Sequence, residues 1–178
     1  ARRQVLKWAA GASAVALSPQ LMQFARAADD FLKGPPVNDI PAKQLSQHVW
    51  MIYSPDGFPT PENQGMMANV TFVVSQQGVI LLDTGASVQI GEMAIRMIKR
   101  VTHKPVIAIF NSHYHGDHFL GNQAFIEAYG KDIPIYAHPY SITQIKGIEG
   151  NAWRNLMERW TNQATAGTKV IPPTHITK

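Results

Sequence analysis

The sequence predicts an α/β domain, because runs with strand composition alternate with amphipathic helices. Two β-branched apolar runs, VTFVVS (70–75) and VILLD (79–83), are separated by QQG and predict a hairpin. From Val88 to Val101, apolar residues recur at the spacing of one buried helical face. VIAIF (106–110) then has the composition of a buried strand.

The same alternation continues along the chain. The further elements predicted are a strand at 48–54, a surface loop at 55–69, a helix at 123–130, a strand at 133–138 and a helix-rich region from 139 to about 166. The loop contains three prolines and two glycines, and we expect it to overhang a site. Gly130 is expected to cap the helix that precedes it. Residues 28–46 and the last dozen residues are expected to be an extended arm and an irregular tail.

Composition indicates an ordinary globular domain. The chain has 178 residues, 45% of them hydrophobic, and it has no cysteine, so disulfides and thiolate chemistry are excluded within it. The net charge of +4 arises from the first 27 residues, which hold four basic and no acidic side chains. The remaining chain has 12 basic and 12 acidic side chains, so we expect no binding to nucleic acid.

The N-terminus has the pattern of an export signal. RRQVLK supplies a positive start, WAAGASAVAL a short apolar middle, and ARA (25–27) a small-x-small cleavage site. The paired Arg2 and Arg3 resemble a twin-arginine signal, which implies a bacterial periplasmic or otherwise exported protein. We therefore expect a signal peptide at 1–27, a domain from 28 to 178, and no stable membrane span once the signal is removed. An amphipathic helix packed on the domain is the alternative.

The residues that can bind a metal ion or transfer a proton are concentrated in FNSHYHGDHFLGN (110–122). His113 and His115 stand two residues apart, so in an extended segment they project to the same side and can bind one ion. Gly116 is expected to permit a sharp turn that brings Asp117 and His118 towards the same pocket, where they can bind a second ion. These ligands leave positions open for water, and Asp117 can orient that water and accept its proton. A purely structural role would require several imidazoles to be buried without partners, which is costly.

HYHGDH resembles the His-x-His-x-Asp-His signature of the metallo-β-lactamase superfamily. The resemblance runs from residue 47 to about 140 and includes NVTFVVSQQGVILLDTG (69–85) and HFLGN (118–122). It implies the N-terminal portion of an αββα sandwich with one or two zinc ions, or iron or manganese. By this resemblance His113 and His115 serve the first metal, Asp117 and His118 serve the second, and Asp83 supports the site.

In this superfamily the remaining ligands lie in the second half of the domain, and we assign neither His138 nor His175 to those roles. The chain start without Met and the ending PPTHITK suggest a piece of a longer reading frame, truncated at the C-terminus. We therefore expect the 178-residue chain by itself to contain an incomplete metal site and to be inactive, with one sheet face lacking its partner.

The function expected is an exported metal-dependent hydrolase that acts on a small ester, thioester, lactone or lactam-like molecule. The twin-arginine signal combined with this motif resembles periplasmic metallohydrolases associated with sulfur-oxidation and quinoprotein systems. The alternatives are a β-lactamase, a mononuclear iron enzyme of the persulfide-dioxygenase type, and a non-catalytic metal-binding accessory protein. The sequence leaves the oligomeric state open.

Overall fold

One sheet organises the fold of residues 32–177, the part of the chain that the computed structural model describes. Its seven strands lie side by side in chain order. They are β1 (Lys43–Gln44), β2 (Val49–Ile52), β3 (Val70–Val74), β4 (Val79–Leu82), β5 (Val106–Phe110), β6 (Ile135–Ala137) and β7 (His175–Ile176). The helices are α1 (Val88–Val101), α2 (Gly116–Phe119), α3 (Asn122–Tyr129), α4 (Pro139–Lys146) and α5 (Ile148–Trp160). The α/β prediction is confirmed.

The direction of the strands places the site. Each successive pair of strands from β1 to β4 is antiparallel, so the predicted hairpin of β3 and β4 is confirmed. Strands β4 to β7 are parallel, and the crossover after β4 runs through α1. The carboxyl ends of β4, β5 and β6 therefore meet at one edge of the sheet, where α/β proteins gather functional side chains.

Helix α1 covers one face of the sheet, as its periodicity predicts. Its side chains at Ile90, Met93 and Ile98 are 0% exposed and belong to one core with Phe72 and Leu81 of the sheet. Ser87 caps the helix, because its Oγ accepts a hydrogen bond from the backbone N–H of Ile90 at 3.2 Å. Burial of these apolar side chains fixes the register of the central strands.

The opposite face of the sheet is apolar and open within the described residues. The register pairs Leu82 with Phe110 and Phe110 with Tyr136, so these side chains share that face. Val73, Leu82 and Phe110 are 37%, 48% and 36% exposed. The expectation that this face lacks a partner stays a prediction.

Two segments expected to be extended or irregular contribute short edge strands. β1 lies in the arm that precedes β2, and β7 lies in the proline-containing tail. β7 forms because the tail pairs with β6: Thr174 N–H donates to Ile135 O at 2.9 Å and Thr177 N–H donates to Ala137 O at 3.0 Å. Such pairing depends on a neighbour 39 residues away in the chain, which local composition does not indicate.

None of the helices within residues 32–177 is long and apolar enough to cross a membrane. The predicted signal peptide at 1–27 lies outside the described residues and stays a prediction.

Gly121 permits the closest backbone approach beside the site. A Cβ atom at this position would lie 2.0 Å from Thr84 O and 2.7 Å from Thr84 C, both backbone atoms. We expect Gly121→Ala to lower the free energy of unfolding by about 1–3 kcal/mol, as for other overpacked interiors, measured by urea denaturation. Gly57→Ala is the control, because a Cβ there meets nothing within 4 Å. Equal stability of the two variants would contradict this packing role.

Candidate metal centre

The predicted ligands gather at the carboxyl ends of β4 and β5. Asp83 directly follows β4, and residues 111–115 connect β5 to the one-turn helix α2, which contains Asp117 and His118. The strand ends are joined by a backbone hydrogen bond from Asp83 N–H to Phe110 O at 2.8 Å. The site therefore lies on a rigid sheet edge.

The structure brings the predicted side chains together. The ring centroid of His113 lies 4.1 Å from that of His118 and 4.6 Å from that of His115. His118 Nε2 lies 3.0 Å from Asp117 Oδ2. Three imidazoles and one carboxylate, all from a single segment of six residues, are thus neighbours in space.

Asp83 holds His118 from the opposite side. Its buried carboxylate accepts hydrogen bonds from His118 Nδ1, from Ser112 N–H and from Ser112 Oγ, each at 2.8 Å. The backbone of Asp83 has φ 61°, a conformation that non-glycine residues adopt only when their surroundings over-determine it. A carboxylate behind an imidazole orients the ring and fixes which nitrogen faces a metal. Asp83 therefore has the supporting position that the family resemblance implies.

A buried polar network holds the backbone of His118. The carbonyl oxygen of His118 accepts hydrogen bonds from Thr84 N–H at 2.9 Å, Asn111 Nδ2 at 3.2 Å and Thr84 Oγ1 at 3.3 Å. Asn122 connects Thr84 and Asn111 through its side-chain amide. Sequence reasoning missed these three residues and Ser112. The available signal was a polar residue immediately after each apolar run, in DTG, FNS and LGN.

Gly116 serves packing, which differs from the predicted sharp turn. Its φ lies outside the left-handed region, and it begins α2 directly after His115. A Cβ at Gly116 would lie 2.8 Å from Trp153 Cβ and 2.9 Å from Leu120 Cδ1. The absence of a side chain therefore allows α5 to pack against the start of α2.

The electrostatics of the cluster favour a protonated His118 in the absence of a competing cation. Burial lowers the pKa of His118, but hydrogen bonds and charges from Asp117 and Asp83 outweigh it and raise the pKa to about 9. Burial raises the pKa of Asp117, but the hydrogen bond and charge of His118 bring it below its ordinary value. The pKa of His113 is lowered by burial and by the neighbouring His118 and His115.

A pocket of about 430 Å³ opens beside Asp117 and His118. One wall is formed by Asp83 and these two residues, and the other by Met67, Ala68 and Asn69 at the end of the predicted loop, with Ser54, Thr71 and Leu82 also lining it. The loop is attached at this point, since Ser54 N–H donates to Asn69 Oδ1 at 2.9 Å. The end of the loop thus lies beside the cluster, as expected for a loop that overhangs a site.

The chemistry of the donor set fits zinc, which prefers imidazole nitrogen and carboxylate oxygen. Nevertheless, no group of three or more His, Asp or Glu side chains within residues 32–177 is arranged around a common point that could hold an ion. His118 Nε2 lies 3.0 Å from a carboxylate oxygen of Asp117. The ligand assignment therefore stays a prediction, with the donor types present and adjacent.

The two other histidines considered as ligands lie outside the cluster. His138 caps α4, because its Nδ1 accepts a hydrogen bond from Tyr140 N–H at 3.2 Å. His175 lies in β7 beside Tyr136, with ring centroids 5.1 Å apart. Both have local structural partners.

The Asp83–His118 contact predicts a pH dependence of stability in chelator-treated protein. In the folded state Asp117 and Asp83 together raise the pKa of His118 from 6.5 to about 9, so their contacts with its ring contribute fully below pH 6.5, and this contribution is lost as pH rises through about 9. We expect Asp83→Asn to lower the free energy of unfolding by on the order of 1 kcal/mol at pH 6.5. The free energy of unfolding of this variant should also fall less steeply as the pH rises from 6.5 towards 9. Urea denaturation across this range measures both effects.

Asp132→Asn is the matched control, because Asp132 is exposed and remote in sequence from the cluster. If Asp83→Asn shows the same pH profile as the unsubstituted protein, Asp83 does not set the protonation of His118.

Comparison with known proteins agrees with this fold. The family model of the metallo-beta-lactamase superfamily matches residues 64–156 of the 178. A linear primary-alkylsulfatase from Pseudomonas sp. (strain ATCC 19151) is 31% identical over 68 residues, which are 36% of this chain and 13% of that protein.

Solved structures of metallo-beta-lactamases share the fold. The metallo-beta-lactamase FIM-1 from Pseudomonas aeruginosa, crystallised in a mono-zinc form, aligns with a TM-score of 0.50 at 22% identity, over 82% of this chain and 52% of that chain. A metallo-beta-lactamase from Hirschia baltica aligns with a TM-score of 0.51 at 17% identity, over 80% and 52%. The chain thus spans about half the length of these structures, as expected for an N-terminal portion of the sandwich. On the match over more than half of its length, the chain belongs to the metallo-beta-lactamase superfamily, whose members include zinc-binding hydrolases.

Proposed function

We propose that this protein is an exported metal-dependent hydrolase that attacks a small ester, thioester, lactone or lactam-like molecule with activated water. The observation that supports this most is the adjacency of three imidazoles and the Asp117 carboxylate at a sheet edge. Membership of a superfamily with hydrolase members supports the reaction class.

In this proposal His113 and His115 bind a first zinc ion, and Asp117 and His118 bind a second where two are present. Bound zinc would supply a Lewis acid that lowers the pKa of water towards neutrality. His118 must release its proton to act as a ligand, so we expect zinc binding to release protons and to strengthen as pH rises.

The side chains of the chain itself supply orientation and proton transfer. Asp83 and Ser112 hold the ring of His118, while Thr84 and Asn111 hold its backbone. The pKa of Asp117 lies below its ordinary value, so its carboxylate is ionised at neutral pH. Asp117 also lines the pocket, where it can accept a proton from water.

Hydrolysis of a primary alkyl sulfate is a second candidate. It is favoured by the 31% identity to the alkylsulfatase over 68 residues. Met67, Ala68 and Leu82 give the pocket an apolar wall that suits an alkyl chain.

A substrate panel tests the proposal. The metal content of full-length protein is measured as purified, and the protein is then assayed with and without added zinc for hydrolysis of a carboxylic ester, a thioester, a lactone, several β-lactams and dodecyl sulfate. Turnover of one class with one or two equivalents of zinc supports the proposal and selects the substrate class. A single equivalent of iron without hydrolysis favours the persulfide-dioxygenase alternative, and failure to bind any metal overturns the proposal.

Asp117→Asn tests the role in proton transfer. We expect kcat on the selected substrate to fall about 10²- to 10⁴-fold, the usual contribution of a general base. Metal content of the variant is measured alongside, because Asp117 is also a proposed ligand. Asp132→Asn, an exposed carboxylate, should retain the kcat of the unsubstituted protein. Retention of kcat by Asp117→Asn would exclude it as the base.

Export is part of the proposal and depends on Arg2 and Arg3. We expect the double substitution Arg2→Lys, Arg3→Lys to leave the protein in the cytoplasm although the charge is unchanged, as measured by cell fractionation and immunoblotting. Arg26→Lys is the control and should be exported. Normal export of the double variant would exclude a twin-arginine signal.

A further inference from the structure

We propose that Trp153 is a positioning residue for His115. Its indole orients the His115 imidazole by packing, as the Asp83 carboxylate orients the His118 imidazole by a hydrogen bond. The inference rests on the proposed role of His115 as a metal ligand. The indole of Trp153 and the ring of His115 have centroids 4.7 Å apart and planes tilted by 36°. Trp153 lies in α5, which the metal-site motif does not include.

Packing is the means by which His115 is oriented. Within the described part of the chain, no hydrogen bond holds the imidazole of His115, whereas Ser112 Oγ lies 3.0 Å from His113 Nδ1 and Asp83 binds His118. His115 has two further ring contacts: Tyr114 meets it edge-on, with centroids 5.0 Å apart and planes at 87°, and the ring of His113 lies 4.6 Å from it at 62°. An indole over one side of the ring therefore limits its rotation.

The glycine that follows His115 makes room for this contact. The absence of a side chain at Gly116 allows Trp153 to approach, because a Cβ there would lie 2.8 Å from Trp153 Cβ and 3.3 Å from Trp153 Cγ. One turn further along α5, the side chain of Met157 is 0% exposed and anchors the helix in the core. Trp153 is thus held against the residue that follows His115.

Trp160 offers a matched control. It lies two turns along α5 from Trp153, is also partly buried, and packs on Phe58 with ring centroids 5.0 Å apart. Substituting it removes an indole from α5 without removing a contact to the cluster.

The experiment compares Trp153→Ala, Trp153→Phe and Trp160→Ala in the full-length protein. Zinc affinity is measured by competition with a chromophoric chelator, and the His115 imidazole resonances are recorded in chelator-treated protein. We expect Trp153→Ala to raise the zinc Kd about tenfold, as for residues that orient metal ligands. Trp153→Phe should restore most of the affinity, and Trp160→Ala should leave it unchanged. Trp153→Ala should shift the His115 resonances, whereas Trp153→Phe and Trp160→Ala should leave them close to their original positions.

The proposal is overturned if Trp153→Ala binds zinc as tightly as the unsubstituted protein, or if Trp160→Ala weakens binding equally, which would indicate a general loss of stability. If Trp153→Ala does not fold, Trp153→Phe decides: it should fold and keep the His115 resonances close to their original positions. Absence of zinc binding by the unsubstituted protein would refute the proposed function. In that case, unchanged His115 resonances in Trp153→Ala would refute the positioning role, and shifted ones would support it.

Discussion

The hydrogen bond between the Asp83 carboxylate and His118 Nδ1 is the contact on which the site depends. It joins the end of β4 to the beginning of α2, two segments 35 residues apart in the chain. The same carboxylate holds the backbone and hydroxyl of Ser112, so one buried anion fixes both strand ends and the ring between them. The backbone of Asp83 is in the left-handed region, and the hydrogen bonds of its side chain offset the conformational energy that this requires.

Each proposed ligand is held by a different means. His118 Nδ1 is hydrogen-bonded to the Asp83 carboxylate and its Nε2 lies 3.0 Å from the Asp117 carboxylate, while His115 lies between aromatic rings. His118 is consequently the imidazole in which proton and metal compete most directly, since its pKa is raised to about 9. The cluster therefore combines an electrostatically held ligand with one held by packing.

The apolar open face of the sheet leads to the same edge. Leu82 and Phe110, both exposed on that face, immediately precede Asp83 and Asn111 in the sequence. The pocket beside Asp117 and His118 includes Leu82 and Thr71, and so begins where this face meets the strand ends. Any substrate placed there contacts apolar sheet side chains and the polar cluster together.

Local patterns in the sequence determined most of the fold. The periodicity of residues 88–101 and the apolar run 106–110 coincide with α1 and β5. The spacing of apolar residues predicts both elements, because one helical face and a central strand are buried. The signature HYHGDH likewise indicated the family and the four clustered side chains. The edge strands β1 and β7 were not predicted, because their pairing depends on neighbouring strands and not on their own composition. Only the tertiary structure decided that Thr84 and Asn111 hold the backbone of His118, that Gly116 makes room for α5, and that Trp153 packs on His115. The contacts made by Thr84 and Trp153 join residues more than 30 positions apart, and their geometry follows from how strands and helices pack.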